Sequence, residues 1–161
     1  MGNLLQPICL IDDDLIFGES FRRQSQKLML KNVETFNNLE EVRKAKNLEN
    51  YSCFVVDYDL EDETGIEVAK FLQEMVPFVP VVIVSATNRP WDEQHDDLEN
   101  VKAFVSKWSG LNTVVTLVDL VAEGKEFPMM VRDFSKNNDL TNSSHGIYLP
   151  RIEFKFEKYR A

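Results

Sequence analysis

Cys53-Phe54-Val55-Val56-Asp57 is an unbroken apolar run that stops on a carboxylate. The same form occurs twice more. Ile8-Cys9-Leu10-Ile11 stops on Asp12-Asp13-Asp14, and Val81-Val82-Ile83-Val84 stops on Ser85. A fourth run, Val101 to Val105, ends near Lys107, and a weaker one, Asn32 to Phe36, reads as an edge strand. Runs without polar alternation suit strands buried on both faces, the situation of a parallel sheet.

Helical periods lie between these runs. Residues 15–30 follow an acidic cluster and would place Ile16, Phe17, Phe21 and Leu28 near one face. Asn38 is placed to cap a short helix with Leu39, Val42 and Ala45 inward. Gly65 opens a clear helical period through Leu72, which Pro77 and Pro80 close. The alternation of strand and helix predicts a doubly wound α/β fold. Two segments depart from it. Residues 88–100 sit where the helix between the fourth and fifth strands belongs, yet hold only Trp91 and Leu98 as large apolar residues, so that helix is expected to be short, loose or partly unwound. Residues 111–122 are apolar on more than one helix face and are expected to need a further partner, the tail or another subunit.

Length and charge bound the function. The 161 residues suit one domain, and a 43% hydrophobic content supports a core. The net charge of -9 argues against nucleic acid and against an anionic membrane. No apolar run approaches a membrane span, and Met1 to Leu5 lacks the features of a secretory signal. Cys9 and Cys53, both inside apolar runs, read as buried thiols of a reducing compartment, so a cytoplasmic location is expected. Residues 1–125 carry 12 Lys/Arg against 22 Asp/Glu, whereas 126–161 carry 6 against 5. The acidity therefore belongs to a domain spanning 1–125. The extension, 126–161, ends in Arg151-Ile152-Glu153-Phe154-Lys155-Phe156-Glu157, whose alternation reads as a strand for docking or dimerisation. It is too small for an output domain.

Ligands of open parallel sheets bind beyond the carboxyl ends of the strands. Asp12, Asp13, Asp57, Ser85 and Lys107 would converge there. Taken singly, each has a plain structural reading: an Asp pair caps a helix, a serine makes a turn, a lysine is solvated. Their joint occurrence at successive strand ends asks for more. Clustered carboxylates repel, and an oxygen-only shell relieves this with a hard cation such as Mg²⁺ or Mn²⁺. Adding a lysine and a hydroxyl makes a site for a phosphoryl group, with one carboxylate able to become an aspartyl phosphate.

These residues resemble the receiver domain of two-component response regulators. The match lies in Asp12-Asp13, Asp57, Ser85-Ala86 and Lys107, in the spacing from Asp57 to Gly65, and in Phe104 three residues before the lysine. It covers about residues 5–125. The resemblance implies a flavodoxin-like five-stranded parallel sheet of order 2-1-3-4-5. It implies Asp57 as phosphoacceptor, with a histidine kinase or phosphotransfer protein as donor. Asp12, Asp13, Asp57 and the backbone carbonyl of Asp59 would hold Mg²⁺, Ser85 and Lys107 would engage the phosphoryl oxygens, and Ala86 would leave the group accessible. Ser85 and Phe104 would act as the switch, and Asp59 and Thr87 would tune phosphoryl lifetime. The chain departs from the family's habit in having Trp108 after the lysine and Glu61 in the loop after Asp57, where proline is usual.

The reading that follows is a stand-alone receiver signalling through a downstream protein, with a possible homodimer through the helix at 111–122 and the tail. No catalysis beyond its own phosphorylation and dephosphorylation is expected. One alternative is an interaction module of receiver fold that needs no phosphorylation. Another is a phosphohydrolase of haloacid dehalogenase type, suggested by Asp57-Tyr58-Asp59. Motif order opposes it, because the Asp12-Asp13 pair comes first and not last.

Overall fold

The computed structural model describes residues 6–87, 97–124 and the backbone of 152–154. Five parallel strands form its centre: β1 (Ile8–Ile11), β2 (Val33–Phe36), β3 (Cys53–Asp57), β4 (Val81–Ser85) and β5 (Val101–Ser106). Their order is β2-β1-β3-β4-β5, the arrangement implied by the resemblance. A short sixth strand, β6 (Ile152–Phe154), runs antiparallel along the outer edge of β5, with Phe104 opposite Glu153.

Helices α1 (Leu15–Lys27), α2 (Leu39–Lys44), α3 (Gly65–Met75) and α4 (Leu111–Ala122) connect the strands. The sheet separates two cores. One face holds Cys9, Ile11, Phe54, Val56 and Ile83 against Val68, Ala69 and Leu72 of α3. The other holds Leu10, Val55, Val82 and Val84 against Phe21 of α1 and Val114, Val118 and Val121 of α4. Every residue of β1, β3 and β4 is buried, the two-sided burial expected of unbroken apolar runs. Cys9 and Cys53 are free and buried, on opposite faces of the sheet. Burial raises both thiols well above their usual range.

Local chemistry sets the helix starts. Asp14 caps α1 through Ile16 N and Phe17 N, and Asn38 caps α2 through Glu41 N. At α3, Thr64 and Glu67 form a reciprocal capping box. Gly65 packs so tightly that a Cβ there would lie 2.5 Å from the Asp57 carbonyl oxygen. A glycine at this position therefore lets α3 start directly against the end of β3.

One expectation needs correction. The buried face of α1 is formed by Gly18, Phe21 and Ser25 with Phe17 half-buried, whereas Ile16 is 80% exposed and Leu28 also lies outward. At 3.6 residues per turn, Ile16 stands about 140° around the helix from Phe21 and so faces away from the buried side. The helix at 111–122 buries Val114, Val115, Leu117, Val118 and Val121 in the core it shares with the sheet and α1, and Leu111, Leu120 and Ala122 are partly buried beside them. At 97–100, a turn buries Leu98 and Asn100 before β5 begins. The rest of the 88–100 segment, Trp91, and residues 125–151 and 155–161 lie outside the described residues.

Candidate functional site

The carboxyl ends of β1, β3, β4 and β5 bring the chemistry together. Asp12 and Asp57 are buried at 4% and 5% exposure, and Asp13 is exposed at the rim. One carboxylate oxygen from each of the three lies within 4.8 Å of the others. The set is made of hard oxygen donors, and its carboxylates are too close to be ionised together without a counter-charge. It fits a divalent cation such as Mg²⁺.

The chain itself supplies one compensating cation. Lys107 Nζ is 2.7 Å from Asp12 Oδ2 and 3.4 Å from Asp57 Oδ1, with its side chain only 14% exposed. The ammonium also lies 4.3 Å from the centroid of the Phe17 ring, a cation–π contact under the site. One lysine does not neutralise this cluster. Burial, followed by the nearby Asp12 charge, pushes Asp57 up to about 7, against the weaker opposing pull of Lys107. Asp12 is also raised by burial, and its hydrogen bond to Lys107 opposes the shift.

The backbone fixes the carboxylates. Asp12 Oδ1 accepts from Asp14 N at 2.8 Å, and Asp13 Oδ2 accepts from Glu61 N at 2.9 Å. The latter tie draws the loop after β3 to the end of β1. It uses the N–H of Glu61, which the proline usual in the family would lack. Asp59 joins Thr64 in an isolated antiparallel bridge, and its carboxylate accepts from Thr87 Oγ1 at 3.1 Å.

Ser85 stands at the end of β4, with 1% exposure. Its Oγ accepts from Thr87 N at 3.0 Å and lies 3.1 Å from Thr87 Oγ1. Phe104 is 5% exposed and packs in the α3-side core. Ala86 is exposed. The residues singled out from the sequence thus gather at one end of the sheet, except Phe104, which lies within β5 and points into the core.

Two participants escape a reading of the sequence. Phe17 lies under Lys107. Trp108 continues a 3-10 turn, Lys107–Ser109, that Ser106 caps, and its indole Nε1 donates to the Ala86 carbonyl at 2.9 Å. The peptide bond between Lys107 and Trp108 is trans. The departure from proline was visible in the sequence, but nothing in it shows that the indole reaches across to β4.

The family described as response regulator receiver domain matches residues 8–119. No curated protein matches the chain. Similar solved structures include response regulator TrrA from Thermotoga maritima in complex with Mg²⁺-BeF, at 18% identity and TM-score 0.63, covering 73% of this chain and 99% of that one. Chemotaxis response regulator CheY4 of Vibrio cholerae is 18% identical at TM-score 0.62, covering 73% and 98%. The response regulator RcsB of Salmonella typhimurium is 17% identical at TM-score 0.65, covering 81% and 67%. At these identities the structural likeness speaks for the fold alone.

Proposed function

The chain belongs to the response regulator receiver domain family, and from that premise we propose that it takes a phosphoryl group onto Asp57 and signals through protein contacts. The observation that carries this reading is the cluster itself: three carboxylates within 4.8 Å, with Lys107 against two of them.

Asp12, Asp13 and Asp57, with the Asp59 backbone carbonyl, are the residues that would hold Mg²⁺. When bound, the ion would neutralise charge on the carboxylates and on the phosphoryl oxygens. The protein's own part is positioning. An Asp57 carboxylate oxygen forms the new bond to phosphorus as the P–N bond of a donor phosphohistidine breaks. Lys107 lies within reach of Asp57 and supplies a point charge for an equatorial oxygen. Ser85 offers one O–H donor at the neighbouring strand end. Burial of Asp57 excludes bulk water from its acceptor oxygen.

The donor is a histidine kinase or phosphotransfer protein, and the output is a downstream protein. A cytoplasmic location accords with this chemistry. No helix among the described residues is long and apolar enough to cross a membrane. The family match covers the whole pocket, which leaves the haloacid dehalogenase reading without support.

Incubation with acetyl phosphate and Mg²⁺ is expected to add a single phosphoryl group by intact mass, and none to Asp57→Ala. A wild-type chain that stays unmodified would favour the phosphorylation-independent module.

A further inference from the structure

The loop that follows β4 is held from three sides. Ser85 Oγ accepts from Thr87 N, Thr87 Oγ1 donates to Asp59 Oδ2, and Trp108 Nε1 donates to Ala86 O. Each hydroxyl has a single proton. Thr87 gives its proton to Asp59, so in the 3.1 Å contact between the two hydroxyls Ser85 is the donor. The Ser85 proton that a phosphoryl oxygen would need is therefore already engaged by Thr87.

The Ala86–Thr87 peptide group is pinned at both ends. Its N–H is held by Ser85 and its carbonyl by Trp108. For Ser85 to turn its hydroxyl toward Asp57, it must give up Thr87, and this peptide must be free to follow. Trp108 opposes that movement from the neighbouring strand. Ser106, one residue before Lys107, pairs with Ser85 in the sheet and caps the turn carrying Trp108. The turn therefore sends Lys107 to the carboxylates and the next side chain to the serine loop. A proline at 108 could do neither the indole contact nor the Trp108 N–H to Ser106 bond.

We propose that Trp108 is a positioning residue, a clasp that holds the Ser85–Thr87 loop in its resting arrangement and opposes engagement of an anion at Asp57. This rests on the proposed function for the identity of the anion, but the clasp has a readout of its own. Trp108 is 65% exposed, so Trp108→Phe removes the donor with little loss of packing.

Two measurements on the full chain test the proposal. The first uses the protein without ligand: amide hydrogen exchange at Thr87 is expected to quicken in Trp108→Phe, with the exchange of β3 amides unchanged. Equal Thr87 exchange in the two proteins overturns the clasp. The second titrates beryllofluoride with Mg²⁺. The variant is expected to bind roughly 2- to 10-fold more tightly, the span of one net neutral hydrogen bond. In the wild type, the Trp108 indole N–H resonance, identified by its loss in the variant, is expected to shift on binding. Equal or weaker binding by the variant overturns the proposal, since a merely structural tryptophan would weaken binding when replaced. A wild type that binds no beryllofluoride, while Thr87 exchange still quickens in the variant, overturns the phosphoacceptor reading and leaves the clasp standing.

Discussion

Gly65 illustrates how narrowly single residues define the site. A Cβ at this position would lie 2.5 Å from the Asp57 carbonyl oxygen and 2.9 Å from Tyr58 Cα, both backbone atoms that cannot step aside cheaply. Gly65→Ala is expected to destabilise the fold by about 1–3 kcal/mol, as overpacking of a filled site does. It should also shift the backbone resonances of Asp57 and Tyr58. Urea unfolding with an amide spectrum checks both, and wild-type stability would sink the prediction. The polar residues of the site were legible because each ends an apolar run. Their partners were not. Lys107 favours Asp12 over Asp57 through distances between strands far apart in sequence, and Ser85 turns to Thr87 two residues on, in a loop whose backbone path no apolar pattern encodes.

At the scale of elements, the strands were the most legible, since burial on both faces leaves only apolar residues. The helices were less so. Periodicity located α1 but put Ile16 inside, whereas the buried face runs through Gly18, Phe21 and Ser25 and leaves Ile16 outward. The double apolar face of α4 calls for partners that periodicity does not name, and the sheet and α1 take up Val114, Val118 and Val121. The tail segment shows the opposite lesson. Its alternation signals a strand without naming a partner, and β6 lies on the β5 edge through only three residue pairs. Proline removes a backbone donor. Since adjacent strand residues point their N–H groups to opposite sides, the pair Ile152→Pro and Glu153→Pro together removes one directed at β5. The double variant is expected to speed exchange of the outward-facing amides in Ala103–Val105 and to leave β1 and β3 unchanged. Unaltered β5 exchange would show that β6 does not protect this edge.

Across the whole molecule, the acidic site is a local cost that the fold sustains. Asp57 titrates at about 7 in the folded chain against an ordinary value of 3.8, because burial and Asp12 disfavour its charge. Between those values the folded state holds more protons than the unfolded one. The contribution of this group to stability is therefore complete below the lower value and is lost as pH rises through the upper one. Mg²⁺ competes with the same proton, so binding releases it and affinity is expected to rise as pH passes upward through about 7. Mg²⁺ titrations on either side of that pH, with Asp57→Asn as the flattened control, check the sign. An affinity independent of pH in the wild type would contradict it. Mg²⁺ should also raise the unfolding temperature, and the rise should continue with the logarithm of its concentration above the dissociation constant.

The amino-acid sequence by itself determined the α/β alternation, the two-sided burial of β1, β3 and β4, and the identity of the polar residues at their ends. These follow from nearest-neighbour chemistry: apolar runs, caps and turn residues act within a few positions of themselves. The tertiary structure alone decided which oxygen meets which nitrogen. It brought Asp12, Asp13 and Asp57 within 4.8 Å, placed Phe17 under Lys107, and sent the Trp108 indole to Ala86. Those contacts join residues on different strands and helices, and only the register and twist of the assembled sheet set their distances.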